Sequence, residues 1–349
     1  MLGDSPTSVG IGFQSTYPRD RGQTLQGRLR ALLQPADIIF GNLETVISSN
    51  SVHHGRLARD QMRADPAILR ALSGTFDIVS VANNHADQHG ARAFQDTVAS
   101  LRGAGIRCCG VAGAAPWHSE PEIVKVRDRR VGFLGYSLRP RQYGVRESTY
   151  ATGTPESIRA DVDRLRDRVD FTVVSLHWGE EFVATPSTSE QAFAQTLLES
   201  GANVVLGHHP HVTRPVEQRV GGVIAYSLGN FVSDMIWQPQ LTRCMILTIQ
   251  LGNSSLVRSI EFADIQDDFL PDLVLSSPIP AADDAEPGMA LLSDEDYAKA
   301  ASTALKKQRL AQYKYFFSNF ARYPVAVSVG LISATIRNRL RALTLGHSR

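Results

Sequence analysis

The feature that most limits how this chain can fold is a repeated pairing. Short β-branched apolar runs, each leading into a tight polar cluster, alternate with amphipathic segments. Phe40 leads into Gly41-Asn42-Leu43-Glu44, and Val81 into Ala82-Asn83-Asn84-His85-Ala86-Asp87. Leu176 leads into His177-Trp178-Gly179-Glu180-Glu181, Leu206 into Gly207-His208-His209-Pro210-His211, and Tyr226 into Ser227-Leu228-Gly229-Asn230. Runs this short read as buried strands, and the segments between them carry apolar residues at helical spacing. Strands alternating with helices predict an α/β fold. In such sheets ligands gather beyond the carboxyl ends of the strands, so the clusters should converge on one site.

The punctuation agrees. Leu25, Leu29, Leu32 and Leu33 form a helical stripe closed by Pro35, and Asp65-Pro66 reads as an N-cap with proline at the first helical position. Phe94, Val98 and Leu101 mark a helix ending near Gly103. Thr154-Pro155 opens a helix carrying Ile158, Val162 and Leu165, and Ser187-Thr-Ser-Glu190 fits a capping box ahead of Phe193 and Leu197. Ile123 to Val126 and Val131 to Tyr136 read as a hairpin, as do Cys244 to Leu251 and Leu256 to Phe262. Residues 1–266 are expected to form one domain. The Asp-, Pro- and Ser-rich stretch 267–292 reads as an irregular linker, and 293–349 as a helical extension. Its apolar positions, among them Leu305, Leu310, Tyr313, Phe317 and Phe320, need a surface to cover, because an isolated helix is marginal in water. The basic turn from Arg337 to Arg341 reads as a solvated face.

Composition narrows the function classes. A chain of 349 residues, 43% apolar, is long enough for a large core. Its net charge of +1, with acids and bases interspersed, argues against nucleic acid as a partner, because a phosphate backbone needs a basic face. Cys108, Cys109 and Cys244 lack metal-type spacing and read as reduced strand residues. No signal peptide opens the sequence, and no apolar run is long enough to span a bilayer; the interrupted run from Val325 to Ile336 is too short. As written, the chain reads as cytoplasmic, with envelope association through an N-terminal anchor expected if the true start lies upstream.

The clusters hold imidazole, carboxylate and carboxamide, and no thiol. That donor set favours Mn, Fe or Zn over a structural zinc knot. Each piece also has a plain alternative: Asn84 as a turn former, Glu44 as a helix cap. His53, His54, His89, His118 and His347 stand outside the clusters and read as structural. Asn84-His85 and His209-Pro-His211 are the most specific pieces, and unrelated turns have no reason to place such residues at successive strand ends.

In order along the chain, Gly3-Asp4, Asn42-Leu-Glu44, Ala82-Asn-Asn-His85, His177-Trp-Gly179, Gly207-His-His-Pro-His211 and Tyr226-Ser-Leu-Gly-Asn-Phe231 resemble the CapA family. These are capsule or poly-γ-glutamate synthesis proteins related to calcineurin-like metallophosphoesterases. The resemblance covers Gly3 to about Asp234 and implies a four-layer α/β/β/α sandwich with a dinuclear divalent-metal centre. It implies Asp4, Glu44, Asn84, His177, His209 and His211 as ligands and His85 as the general acid. Asn42, Asn83, Asp87, Glu181 and His208 would support ligands or substrate, Asp87 by orienting a histidine. Related enzymes supply Asp-x-His where Asp4 is followed by Ser5-Pro6, which leaves one ligand fewer. The Tyr226-to-Phe231 motif reads as core packing. The activity implied is a metal-dependent hydrolase of a phosphoester, or of an amide or ester in an envelope polymer. Its partner would be an anionic polymer or a phosphorylated small substrate. The alternative is a non-catalytic metal-binding component of polymer synthesis or export.

Overall fold

The computed structural model describes residues 27, 33, 36–52, 62–140, 143, 149–233, 235–252, 256–265, 271–277 and 289–319. Asp4, most of the leucine stripe before Pro35, Phe320, the run 325–336 and the basic turn 337–341 lie outside them.

The fold is mixed α/β with several sheets. Strands β1 (Phe40–Asn42), β4 (Ile78–Ser80) and β5 (Arg107–Cys109) form a parallel sheet in the order β1-β4-β5. Two-residue strands β2 (Val46–Ile47) and β3 (Arg63–Ala64) pair beside it. A six-stranded sheet contains β6 (Glu122–Val126), β7 (Arg129–Ser137), β8 (Phe171–His177), β9 (Val204–His208), β10 (Val216–Arg219) and β11 (Gly222–Ala225), ordered β10-β11-β9-β8-β7-β6. Its four central strands run parallel, and β6 and β10 close its edges antiparallel. Strands β12 (Arg243–Gln250), β13 (Leu256–Ile265) and β14 (Pro271–Ser277) make an antiparallel sheet.

Successive residues of a strand face opposite ways, so a strand buried on both faces is apolar throughout. Val79 and Cys108 turn toward helices α1 (Leu69–Leu72) and α2 (Ala91–Gly103), where Phe94, Val98 and Leu101 cover them. Ile78 and Cys109 turn the other way and meet Val131, Phe133, Val173, Val204 and Leu206 of the larger sheet. On that sheet's far face, Leu134, Val174, Leu176 and Val205 pack beneath α3 (Pro155–Arg166) and α4 (Thr188–Glu199) through Ile158, Val162, Leu165 and Leu197. Each large apolar side chain fully buried in these clusters contributes roughly 1.5–3 kcal/mol.

The helix starts follow their caps. Asp65 accepts from the Ala67 amide ahead of the 3₁₀ turn Pro66–Ile68. Thr154 caps α3, and Ser187 and Glu190 form the reciprocal capping box of α4. Helix α5 (Pro239–Thr242) precedes β12. The three cysteines are free and buried.

The segment 267–292 needs a correction, because β14 runs through it and pairs with β13 from Ile260↔Ser277 to Ile265↔Pro271. The Asp- and Pro-rich surroundings hide a short apolar run, Leu273-Val274-Leu275, which takes the free edge of β13. Beyond it, Ser293 caps helix α6 (Asp294–Ser318), which packs Tyr297 and Ala301 against Val183. Among the described residues no helix is long and apolar enough to cross a membrane.

Candidate metal centre

Five polar segments leave the carboxyl ends of β1, β4, β8, β9 and β11. The first two are stitched together by backbone and side chain. Leu43 N donates to Ser80 O at 2.9 Å, continuing the ladder past β1, and Asn83 Nδ2 donates to Leu43 O at 2.8 Å. Asn83 Oδ1 in turn accepts from His85 N at 3.0 Å, so one carboxamide fixes both the turn that carries Glu44 and the turn that carries Asn84 and His85.

His177 ends β8 and stands in register with His208 on β9. Gly207 makes this pairing possible: a Cβ there would lie 2.1 Å from Tyr226 O and 2.5 Å from Trp178 Nε1. After β9 the backbone turns sharply, with His209 at φ +98° and His211 at φ +59°. Side chains seldom adopt such angles, and each costs of order 1–3 kcal/mol, so the fold holds these two histidines in place against local preference.

The side chains meet in one buried cluster. His177 Nε2 lies 2.8 Å from Asn84 Oδ1 and 3.5 Å from Glu44 Oε1. His211 Nε2 is 3.9 Å from the same Glu44 oxygen, and the rings of His177 and His209 are 4.8 Å apart. Two overlapping groups have the geometry to hold an ion: Glu44, His177 and His209, and Glu181, His209 and His211. They share His209.

Electrostatically the cluster is unsatisfied. Burial, with Glu181 adding repulsion, holds the Glu44 carboxyl well above the usual carboxylate range. Burial, then neighbouring imidazoles, pushes His177 and His209 well below the usual histidine range. His211 is lowered by burial against a hydrogen bond to Asn230 that pulls it up. Glu181 is raised by burial, with Arg139 and Arg309 pulling it back. Glu44 Oε1, His177 Nδ1 and both ring nitrogens of His209 are buried without a hydrogen-bond partner. Such atoms cost about 1–3 kcal/mol each, and a cation bound by the Glu44 oxygen and one lone-pair nitrogen of each ring would remove part of that cost and restore the carboxylate form. The residues therefore fit a divalent ion.

The other residues singled out in the sequence have the following surroundings. His85 Nδ1 is held by Gln88 Oε1 at 2.7 Å, which also accepts from Tyr143 OH at 3.0 Å; burial lowers the ring to about 4. Asp87, expected to orient a histidine, is fully buried in the same turn. Asn42 Oδ1 is buried without a partner. His208 is buried with its ring 6.1 Å from Phe40 and is lowered to about 3 by burial. His118 pairs with Asp161 at 3.0 Å and His89 with Ser51 at 3.0 Å.

Three residues escaped the sequence reading. Asn230 Oδ1 meets His211 Nδ1 at 3.0 Å, while Asn230 Nδ2 donates to Leu241 O at 3.0 Å. The motif read as core packing thus divides: Tyr226 stacks on Trp178, and Asn230 orients a histidine. Its place at a strand end was the available signal. Gln88 and Arg139 gave none. Arg139, just past β7, donates from Nη1 to Glu180 Oε1 at 2.7 Å and to Gly179 O at 2.5 Å.

The family model described as bacterial capsule synthesis protein PGA_cap matches residues 2–235, a span that contains every residue of the cluster. The PGA biosynthesis protein CapA of Bacillus subtilis (strain 168) is 26% identical over 212 residues, covering 59% of this chain and 56% of that protein. The capsule biosynthesis protein CapA of Bacillus anthracis is 27% identical over 215 residues, covering 59% and 52%. The chain thus spans about half the length of these curated relatives. Among solved structures, the 5'-nucleotidase of Candida albicans SC5314 is 12% identical with a TM-score of 0.44, covering 82% of this chain and 53% of that one.

Proposed function

The chain belongs to the PGA_cap family of bacterial capsule synthesis proteins, and we propose that its strand-end cluster is the divalent-metal centre of a hydrolase serving capsule or poly-γ-glutamate synthesis. The observation that carries this is the buried Glu44 carboxylate among His177, His209 and His211, with unpartnered donor atoms on three of the four. On this reading Glu44, His177 and His209 hold one ion, with Asn84 beside them. His211 and Glu181 flank a second position beside His209, whose single imidazole lone pair goes to the first ion, and Asp4 belongs to the expected ligand set. Imidazole and carboxylate donors without thiolate suit Mn, Fe or Zn. A bound divalent ion supplies Lewis-acid polarisation and a hydroxide at neutral pH. We read the layers as a four-layer α/β/β/α sandwich, residues 1–266 as the metal-binding domain, and the substrate as an anionic polymer or a phosphorylated small molecule.

His85 is the proposed proton donor to the leaving group. Gln88, braced by Tyr143, fixes its Nδ1, which leaves Nε2 as the atom that moves a proton. With its pKa lowered to about 4 the ring is neutral at pH 7, so it must gain its proton when an anionic substrate binds beside it. That neutrality favours the second reading, a metal-binding component of polymer synthesis or export without turnover.

One experiment separates the two. Protein purified without chelators is assayed for bound metal and screened against phosphodiesters, phosphomonoesters and γ-glutamyl amides. The hydrolase reading expects turnover that His85→Ala lowers by ~10²–10⁴-fold with metal retained. Metal without turnover on any class would select the second reading, and loss of metal in His85→Ala would make His85 a ligand or structural residue.

A further inference from the structure

The matched family region ends at residue 235, yet a residue 62 positions further on sits at the hub that holds one half of the cluster. We infer that helix α6 is part of the frame of the metal centre, with Tyr297 and Arg214 acting as positioning residues for the loop that carries Glu181. This rests on the metal-centre reading.

Glu181 lies on a short loop, residues 179–183, outside any regular element. Its backbone is clamped on both sides of Glu181 by one guanidinium. Arg214 Nη2 donates to Glu180 O at 3.3 Å, and Arg214 Nε donates to Val183 O at 2.7 Å. Arg214 is itself fully buried, and its charge is met by Glu190 Oε1 at 2.9 Å. The phenol of Tyr297 closes the arrangement. Its oxygen accepts from Glu180 N at 2.8 Å and from Arg214 Nη2 at 2.7 Å, and its hydroxyl donates to Glu190 Oε1 at 3.2 Å.

The hub explains a glycine. Gly179 has φ +74°, and a Cβ there would lie 2.8 Å from Arg214 Nη1, 2.9 Å from Tyr297 OH and closer still to Glu190 Oε1. The turn after His177 is therefore moulded on a surface to which α6 contributes. Further along the helix, Gln308 accepts from Trp237 Nε1 at 2.9 Å and donates to Gln238 at 2.7 Å, while the charge of Arg309 reaches Glu181. Helix α6 thus touches the Glu181 loop and also braces the segment after Asn230. Within the loop itself, Phe182 N donates to Pro210 O at 2.8 Å, and the hub fixes the backbone on the other positions around Glu181.

The test uses the full chain. Wild type, Tyr297→Phe, Glu181→Gln and a control on the exposed face of the same helix, Lys299→Ala, are titrated with Mn²⁺, with free ion read by electron paramagnetic resonance. Amide exchange is followed over residues 179–183. Residues that orient metal ligands typically change affinity by roughly 10–100-fold. Tyr297→Phe should therefore weaken the looser Mn²⁺ by about that factor, and Glu181→Gln, which alters the ligand itself, by at least as much, with the tighter one unchanged in both. Lys299→Ala should match wild type, and exchange at the loop should rise only in Tyr297→Phe. Wild-type Mn²⁺ binding in Tyr297→Phe, or equal weakening of both ions with a lowered melting temperature, overturns the inference. Wild type that takes up none of Mn²⁺, Fe²⁺ and Zn²⁺ refutes the metal-centre reading instead. Exchange then decides the positioning claim, which fails if Tyr297→Phe leaves the loop unchanged.

Discussion

Glu44 and Glu181 bring carboxylates to the same histidine, and the protein supports them in different ways. Glu44 is 3% exposed on a turn whose preceding residue still belongs to the sheet ladder, through Leu43 N to Ser80 O. Glu181 is half-buried on a loop whose backbone bonds run mostly to the side chains of Arg214, Tyr297 and Arg139, with Phe182 N to Pro210 O as the main-chain tie. One half of the cluster is therefore held by sheet geometry and the other by a hub of distant residues. Sheet ladders open only with the global fold, whereas a loop held by side chains can open locally. The Glu44 group should accordingly behave as the tight, all-or-none half and the Glu181 group as the adjustable one.

The largest effect tests whether the halves are one centre. His209 is common to both, so His209→Ala should abolish metal binding in a protein that still folds, read by metal analysis and circular dichroism. Unchanged stoichiometry would separate the halves and remove the basis for a shared site.

The next effect tests the contrast itself. Burial already disfavours the charged form of Glu44, so Glu44→Gln should lose the tight ion yet raise the stability of the metal-free protein near pH 8. Glu181→Gln, on a more exposed loop, should change metal-free stability little. Equal stability changes in urea unfolding would erase the distinction.

The smallest effect is the acid response of the metal-free protein. His85, His177, His208, His209 and His211 are all held below their ordinary values, two of them to about 4 and about 3. The unfolded chain therefore takes up protons first as pH falls below ~6.5, and stability drops through the window from there toward 4. Glu44 and Glu181 are raised, so their contribution has the opposite sign: it is lost as pH rises above the ordinary carboxylate range. Five imidazoles against two carboxyls leave a net loss in acid, which saturating Mn²⁺ should steepen because protons then compete with the ion. A melting temperature flat from pH 7 to about 5 would count against the burial of these rings.

How much of this was legible follows the same division. The half held by the ladder was readable, because apolar runs ending in Asn-Leu-Glu, Asn-Asn-His and His-His-Pro-His announce strand ends, and strand ends of parallel sheets converge. The capping residues Asp65, Thr154, Ser187 and Glu190 were equally readable, because each acts within three positions. The hub was not. Tyr297 meets Glu180 across 117 positions, and nothing local marks a tyrosine in a helix as the partner of a loop. Strand β14 was hidden by its Asp- and Pro-rich neighbours, and the two-residue strands β2 and β3 are too short to show a period. Asn230 was visible as part of a strand-end cluster, but Tyr226 beside it suggested packing, and both roles proved to share one motif.

The positive φ angles of His209 and His211 bear on how such a sequence drifts over generations. At both positions glycine would relax the backbone, so selection for folding alone would favour glycine there and empty the centre of two imidazoles. Histidine at both turns therefore costs this fold local stability, a cost that a metal-binding role would account for.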